Sequence, residues 1–82
     1  MRFNIKAETP QGDRWFDCNT RQWEDCHFDH PGTMLEALIH LSFALDSMSF
    51  GQTIIVTLVE QGVPNEYLAV TLDQETWEGD QE

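Results

Sequence analysis

The residues best suited to chemistry lie in one short segment, between positions 25 and 30. Together with Cys18, this segment places Cys26, His27 and His30 in a Cys-x7-Cys-His-x2-His pattern, and these are side-chain types that bind zinc. Structural zinc sites usually present paired ligands two to four residues apart on a tight turn, whereas a strand would send Cys26 and His27 to opposite faces. A solvated loop with an ordinary buried cysteine is the preferred interpretation, and a small Cys/His zinc-binding domain is a minor alternative.

The same segment offers two neighbouring pairs for acid–base chemistry, Cys26 with His27 and Asp29 with His30. Adjacent side chains on a strand point apart, and negatively charged surroundings generally raise the pKa of a thiol. The sequence shows no glycine-rich phosphate loop and no residue marked as an activated nucleophile. We therefore predict a protein without enzymatic activity, cofactor or bound metal.

The charge distribution is the most unusual property of the sequence. Fifteen acidic residues against four basic ones give a formal net charge of −11. The basic residues are Arg2, Lys6, Arg14 and Arg21, and positions 22–82 combine twelve acidic residues with no Lys or Arg. Such a charge repels nucleic acid and anionic membranes, so neither is an expected partner. A basic protein surface is the natural counterpart.

The chain length and the N-terminal segment indicate the broad class of protein. Eighty-two residues fit one small domain. The sequence has no run of ~18 apolar residues and no apolar signal region near its N-terminus, and its two cysteines are expected to be free thiols in a reducing compartment. The predicted location is cytoplasmic.

The clearest predicted element is a helix from Thr33 to Met48. Thr33 and Glu36 have the spacing of a capping box, and Gly51 is predicted to close the helix in the left-handed conformation. Helical periodicity predicts one apolar stripe facing the core, with Glu36, His40 and Ser47 opposite. The residues of the predicted core stripe are Met34, Ala37, Leu38, Leu41, Ala44, Leu45 and Met48.

A second stripe on this helix consists of Leu35, Ile39 and Phe43. Phe43 falls among Glu36, His40 and Ser47 and has two interpretations. It is either covered by another part of the chain, or it is an aromatic contact point surrounded by carboxylates.

The N-terminal segment predicts a hairpin. Phe3, Ile5 and Ala7 alternate with polar residues, as in a half-buried strand, and Thr9-Pro10-Gln11-Gly12 suits a type I turn. With these four residues as the loop, Lys6 faces Trp15, and one face carries Phe3, Ile5, Ala7, Phe16 and Cys18.

A third strand is predicted from Arg21 to Phe28, with two possible registers. A two-residue turn at Asn19-Thr20 puts Trp23 on the core face, and a three-residue turn reverses every side chain.

The C-terminal half predicts two further strands. Gln52 to Glu60 is apolar on both faces, which is typical of a central strand. A turn is expected within Gln61 to Glu66, on the Val63-Pro64-Asn65 signal, and Tyr67 to Asp73 is the returning strand. The acidic segment 74–82, with Trp77, is expected to be a flexible tail.

These elements predict one α+β domain over residues 1–73. Its order is β-β-(β)-α-β-β, in an antiparallel or mixed sheet of four to five strands with one helix packed across one face. The other face is left to solvent, to a partner or to a homodimer contact. The residues expected on that open face are Trp15, Ile55, Thr57, Val59, Tyr67, Ala69 and Thr71.

Small size, acidity and the lack of a catalytic motif predict a protein-binding inhibitor that blocks the basic nucleic-acid-binding or active site of a partner. In overall composition the chain resembles the small acidic inhibitors, including anti-CRISPR proteins, with which phages block host defence. That resemblance, which no motif carries, implies electrostatic imitation of nucleic acid. The alternatives are an immunity protein or antitoxin that neutralises a basic toxin, and an acidic structural subunit. The predicted partner-binding residues are Glu24, Asp25, Asp29, Glu36, Phe43, Glu60 and Glu66, with Glu75, Trp77, Glu78, Asp80 and Glu82 as a second possible patch.

Overall fold

The computed structural model describes residues 1–49 and 51–71, which form one antiparallel sheet with one helix across one face. The elements in chain order are β1 (Arg2–Thr9), β2 (Gly12–Asp17), β3 (Gln22–Glu24), β4 (His30–Pro31), α1 (Met34–Asp46), β5 (Thr53–Glu60) and β6 (Val63–Thr71). The strands lie in the order β3-β2-β1-β5-β6, and the short β4 pairs with the start of β1. The predicted α+β fold is confirmed, and the two-residue β4 adds a sixth strand.

The core lies between α1 and the sheet. Alternation along β1 sends Phe3, Ile5 and Ala7 to the helix side, as predicted, because successive residues of a strand point to opposite faces. The rest of the core comes from β2, β5 and the helix. Those buried residues are Phe16, Ala37, Leu41, Ala44, Ile54 and Val56.

The first hairpin has the predicted register, with Lys6 opposite Trp15 and Thr9 opposite Gly12. Gly12 has a φ of 117°, which favours glycine at this position. The Thr9 hydroxyl donates to the Gly12 carbonyl at 2.7 Å and accepts the Gln11 amide at 3.2 Å. The turn chemistry therefore sets the pairing of β1 with β2.

The connection from β2 to β3 decides the register that the sequence left open. Asp17 pairs with Gln22, and the Arg21 amide, at a φ of 59°, donates to the Asp17 carbonyl at 2.7 Å. This longer loop keeps the pairing that a two-residue turn would give, so Trp23 lies on the core side. The centroids of the Trp23 and Phe16 rings are 5.1 Å apart. Strand β3 ends at Glu24, and the prediction of a strand through Phe28 is wrong because the chain leaves the sheet to cross toward β4.

The capping box at the start of α1 is confirmed. Thr33 Oγ1 accepts the Glu36 amide at 3.2 Å, and Glu36 Oε1 accepts the Thr33 amide at 3.1 Å. The predicted C-terminus is wrong, because the helix ends at Asp46 with Ser47 as its cap. The Ser47 hydroxyl donates to the Ala44 carbonyl, and Gly51, at a φ of 84°, instead belongs to the turn before β5.

The helix is rotated relative to the predicted core stripe. His40, expected outside, stacks on Phe3 with ring centroids 6.0 Å apart. Met34 and Leu38, expected in the core, are 42% and 36% exposed. The small side chains of Ala37 and Ala44 lie at the centre of the contact, which explains the rotation: they let the helix backbone come close to the sheet.

Strand β5 lies between β1 and β6, as its apolar faces predicted. The turn that follows is shorter than expected, because Gln61 and Gly62 both have positive φ, at 52° and 80°, as in a two-residue type I′ turn. Pro64 is therefore inside β6, where it is tolerated at the start of an edge strand. Leu72, Asp73 and the predicted tail lie outside the described residues.

No helix within residues 1–49 and 51–71 has both the length and the apolar character to cross a membrane.

Removing the cap should measurably weaken the fold. Thr33→Ala deletes the acceptor for the Glu36 amide and is expected to lower the free energy of unfolding by about 1 kcal/mol. Urea denaturation measures the change. Thr33→Ser, which keeps the hydroxyl, is the matched control, and equal losses in the two variants would contradict the role of the cap.

Candidate interaction surface

The predicted partner-binding acids fall into two groups in the structure. Glu24 and Asp25 lie at the end of β3, where Glu24 is opposite Trp15 and the Asp25 side chain is 84% exposed. Within the described residues, the ion pair that involves this group joins Arg14 Nε to Asp25 Oδ1 at 4.0 Å. An exposed pair at that distance contributes little energy, so both carboxylates remain available to a partner.

Asp29 is held inside the molecule more firmly than the sequence suggested. Its Oδ1 accepts a hydrogen bond from Asn4 Nδ2 at 2.9 Å and lies 3.0 Å from His27 Nε2. The His27 ring in turn lies 5.4 Å from that of Trp15. These contacts fasten the segment between β3 and β4 to the face of the sheet opposite the helix.

Glu36 and Phe43 also have internal contacts. The Glu36 carboxylate completes the capping box with Thr33. The half-buried Phe43 ring has the Arg21 guanidinium 3.9 Å from its centroid, which is a cation–π contact. Of the two interpretations of Phe43, coverage by another part of the chain describes this arrangement better, and the residue remains partly exposed.

The remaining predicted acids lie on the β5–β6 hairpin. Glu60 ends β5, and Glu66 faces Thr57 on the open side of the sheet; both are exposed. Within the described part of the chain, neither makes an ion pair. Within the described residues, Glu24, Glu60 and Glu66 make no ion pair and Asp25 has only the 4.0 Å contact with Arg14, whereas Asp29 and Glu36 have contacts that support the fold.

The basic side chains lie on β1, on β2 and in the loop before β3, and Arg2 is directly opposite Val59 of β5. Lys6 Nζ lies 3.4 Å from Glu8 and 3.9 Å from Asp13, and Arg14 and Arg21 make the contacts already described. Elements α1, β5 and β6 contain carboxylates and no Lys or Arg. The charge asymmetry of the sequence is therefore also an asymmetry in space.

The open face of the sheet has the composition that the strand pattern predicted. The register places Trp15, Lys6, Ile55 and Ala69 in one row across four strands. Thr57, Val59 and Thr71 share this face, as predicted, whereas Tyr67 lies at the irregularity in β6 opposite Val56 and Thr57. Carboxylates lie on both sides of the row, so this face combines apolar area with negative charge.

Cys18 has the properties of a structural thiol. Burial, assisted by the charge of Asp17, raises its pKa to about 11. His30 Nε2 lies 3.3 Å from the Cys18 amide and 3.2 Å from the Phe16 carbonyl, so His30 contacts the end of the β2 backbone in either tautomer.

Among the described residues, no three His, Cys, Asp or Glu side chains come close enough together to hold a metal ion.

The raised pKa of Cys18 predicts its reactivity. At pH 8 only about one in a thousand Cys18 side chains is a thiolate, so alkylation by iodoacetamide should be slow and should accelerate about tenfold per pH unit up to its pKa. Peptide mapping by mass spectrometry follows the reaction, with the exposed Cys26 as the internal control. A rate at Cys18 that is high at pH 7 and flat with pH would contradict this description.

Among residues 1–49 and 51–71, a recess lies on the helix side next to the first turn. Its volume is about 220 Å³, which is below the ~300–1,000 Å³ of typical small-molecule sites. This recess favours recognition over a surface rather than in a pocket. The lining residues are Ala7, Thr9, Gln11, Arg14, Trp23, Ser47 and Gln52.

Comparisons with protein-family models, curated proteins and solved structures find no match to this chain.

Sequence reasoning missed the role of Asn4, which is 7% exposed although it points away from the helix. Because Asn4 lies between Phe3 and Ile5, the alternation of the strand predicted an ordinary solvent-facing side chain there. The available signal was its place on a central strand, where a buried amide needs partners, and Asp29 supplies one.

Proposed function

We propose that this protein is an inhibitor that binds a basic surface on a nucleic-acid-handling protein or complex and prevents nucleic acid from binding there. The observation that supports the proposal is the spatial separation of charge. The helix and the β5–β6 half of the sheet present carboxylates without a single Lys or Arg. On these three elements a partner with a basic groove would meet carboxylates, and the nearest basic side chains, Arg2 and Lys6, lie on the adjoining β1.

Electrostatic attraction would accelerate the encounter, and apolar contacts would hold the complex. Complementary fields raise association rates by orders of magnitude at low salt. Exposed carboxylates at Glu24, Asp25, Glu60 and Glu66 supply the field. Trp15, half-buried beside His27, and Tyr67, 46% exposed, are aromatic side chains near these carboxylates that a partner can contact.

The proposed inhibition is steric and electrostatic, with no covalent step. The inhibitor occupies a surface that otherwise binds phosphates, so inhibitor and nucleic acid compete for the same Lys and Arg side chains. We propose that this competition takes place in the cytoplasm.

A capture experiment tests the proposal. Tagged full-length protein is incubated with nuclease-treated lysate and washed at about 0.1 M and then about 0.5 M salt, which spans a large change in screening. We expect capture, at the lower salt, of a protein that normally binds DNA or RNA and cannot do so while captured. Capture of a basic toxin would instead support an immunity protein, and a captured protein that still binds its nucleic acid would refute blockade.

A further inference from the structure

The helix covers only part of the sheet face on which it packs. An α-helix is about 10 Å wide and strands lie about 4.8 Å apart, so one helix covers roughly two strands. Here α1 packs on β1 and β5. Strand β6 lies beyond β5, and eight of its nine residues are exposed.

The side of α1 that faces β6 is apolar. On the opposite side, Phe43 contacts Arg21 and Ser47 accepts a hydrogen bond from Trp23 at 2.9 Å, so that side faces the β2–β3 end of the sheet. At 100° per residue, Leu45 lies about 160° around the helix from Ser47. Leu38 and Met34 continue the Leu45 side along the helix, and these two are 36% and 42% exposed.

The neighbouring sheet surface is apolar as well. Leu68 is opposite the buried Val56 and therefore points to the helix side, where it is 36% exposed. Leu58 and Val70 are half-buried on the same side. Together these side chains line what we name the α1–β6 groove, defined by Met34, Leu38, Leu45, Leu58, Leu68 and Val70.

We propose that the α1–β6 groove binds a cationic amphipathic helix of the partner protein. A second helix beside α1 would lie about 8–10 Å from it, the usual distance between packed helices, and would cover β6. It would complete the layer that this chain builds only halfway within the described residues. The inference depends on the proposed function only for the basic character of the partner.

Charge selects this occupant over the others. Asp46 is exposed at the C-terminal end of α1, where the helix dipole is negative and the last turn has no basic residue. Glu60 is exposed past Leu58, near the other end of the helix. A second copy of this chain would add another formal charge of −11, and segment 74–82 carries only acidic charges. Lys and Arg on an amphipathic helix would complement these carboxylates while its apolar side fills the groove.

A synthetic peptide tests the groove directly. The probe is a helical peptide of Leu and Lys, about 14 residues long to match the 13 of α1, with Leu at positions spaced by three and four. A scrambled peptide of identical composition controls for simple charge attraction. Calorimetry with the full-length protein at about 0.15 M salt should show binding of the amphipathic peptide at least tenfold tighter than that of the scrambled one.

Paired variants locate the binding site. Leu38→Asn and Leu68→Asn are each expected to weaken peptide binding at least tenfold. Leu35→Asn is the matched control, since Leu35 is 67% exposed on the same helix but outside the groove, and it should change binding less than about twofold. Methyl chemical-shift changes in the unmodified protein should concentrate at Leu38 and Leu68, which needs no variant to fold.

Each other occupant predicts a different result. Binding that is equal for the two peptides, or unaffected by both groove variants, would overturn the proposal while leaving the inhibitor function intact. Peptide binding that tightens at least tenfold when residues 74–82 are deleted would assign the groove to that segment. A dimer at about 0.5 M salt that Leu38→Asn dissociates would assign it to a second copy. Groove binding without any captured nucleic-acid-handling protein would refute the proposed function alone.

Discussion

Phe3→Ala is expected to lower the free energy of unfolding by about 3–5 kcal/mol. Phe3, on β1, is 1% exposed. The centroid of its ring lies 5.7 Å from that of His30 and 6.0 Å from that of His40. Removing the ring would leave a cavity at the junction of β4, the start of α1 and the sheet. Since small domains are stable by only about 5–15 kcal/mol, this one change would remove a large part of the total.

The surroundings of Phe3 cannot easily collapse into that cavity. Gly32 lies so close to Phe3 that a Cβ on Gly32 would be 2.8 Å from Phe3 Cε1. The Gly32 amide donates a hydrogen bond to the Met1 carbonyl at 3.1 Å. Backbone that is held by hydrogen bonds on one side and by the helix cap on the other has little freedom to move. We therefore expect a cost in the upper part of the range.

Urea denaturation followed by circular dichroism measures the effect. Leu35→Ala is the control, because Leu35 is 67% exposed on the helix and its truncation should change stability by less than about 0.5 kcal/mol. If Phe3→Ala does not fold, Phe3→Leu keeps most of the volume and should lose about 1–2 kcal/mol. A loss below about 1 kcal/mol for Phe3→Ala would show that Phe3 is not central to the core.

The sequence predicted the fold correctly where a short motif strongly favours one conformation. Pro10 and Gly12 defined the turn that places Lys6 opposite Trp15, and Thr33 with Glu36 defined the start of the helix. Apolar residues on both faces identified β5 as central. In each case the controlling interactions lie within a few residues, so the sequence alone contains them.

Predictions that depended on distant contacts were less successful. His40 looked exposed by helical periodicity, but the ring of Phe3 offers a stacking surface that no local pattern reveals. Ser47, the C-cap, accepts a hydrogen bond from Trp23, which is far away in sequence, and helical periodicity does not reveal this contact. Pattern analysis gave the width of the apolar stripe on α1, but tertiary packing selected which part of it faces the sheet.

The candidate site shows the same division. Sequence identified the acidic residues but could not separate the free ones from those used in folding. Asp29 and Glu36 looked equivalent to Asp25, yet Asn4 and Thr33 bind the first two. That distinction changes which substitutions can test binding without damaging the fold.

Reversing the charge of the four free acids is expected to weaken partner binding by about 10–100-fold at about 0.05 M salt. The variant combines Glu24→Lys, Asp25→Lys, Glu60→Lys and Glu66→Lys, and each change raises the formal net charge of −11 by two. All four side chains are exposed, so the fold should persist. Because carboxylates act first on the encounter, most of the loss should be in the association rate, measured by surface plasmon resonance with the captured partner.

Two comparisons distinguish a specific acidic surface from an effect of total negative charge: affinity at low and high salt, and charge reversal at two different sets of positions. At about 0.5 M salt, screening should reduce the difference between variant and unmodified protein to a few-fold. The control reverses Glu75, Glu78, Asp80 and Glu82, which changes the net charge equally at positions outside the described residues. If both variants lose affinity equally, the four described acids do not form a specific surface, and either total charge or a contact of segment 74–82 with the partner governs binding. If neither loses any, the electrostatic mechanism is wrong, and contacts such as the α1–β6 groove must account for recognition.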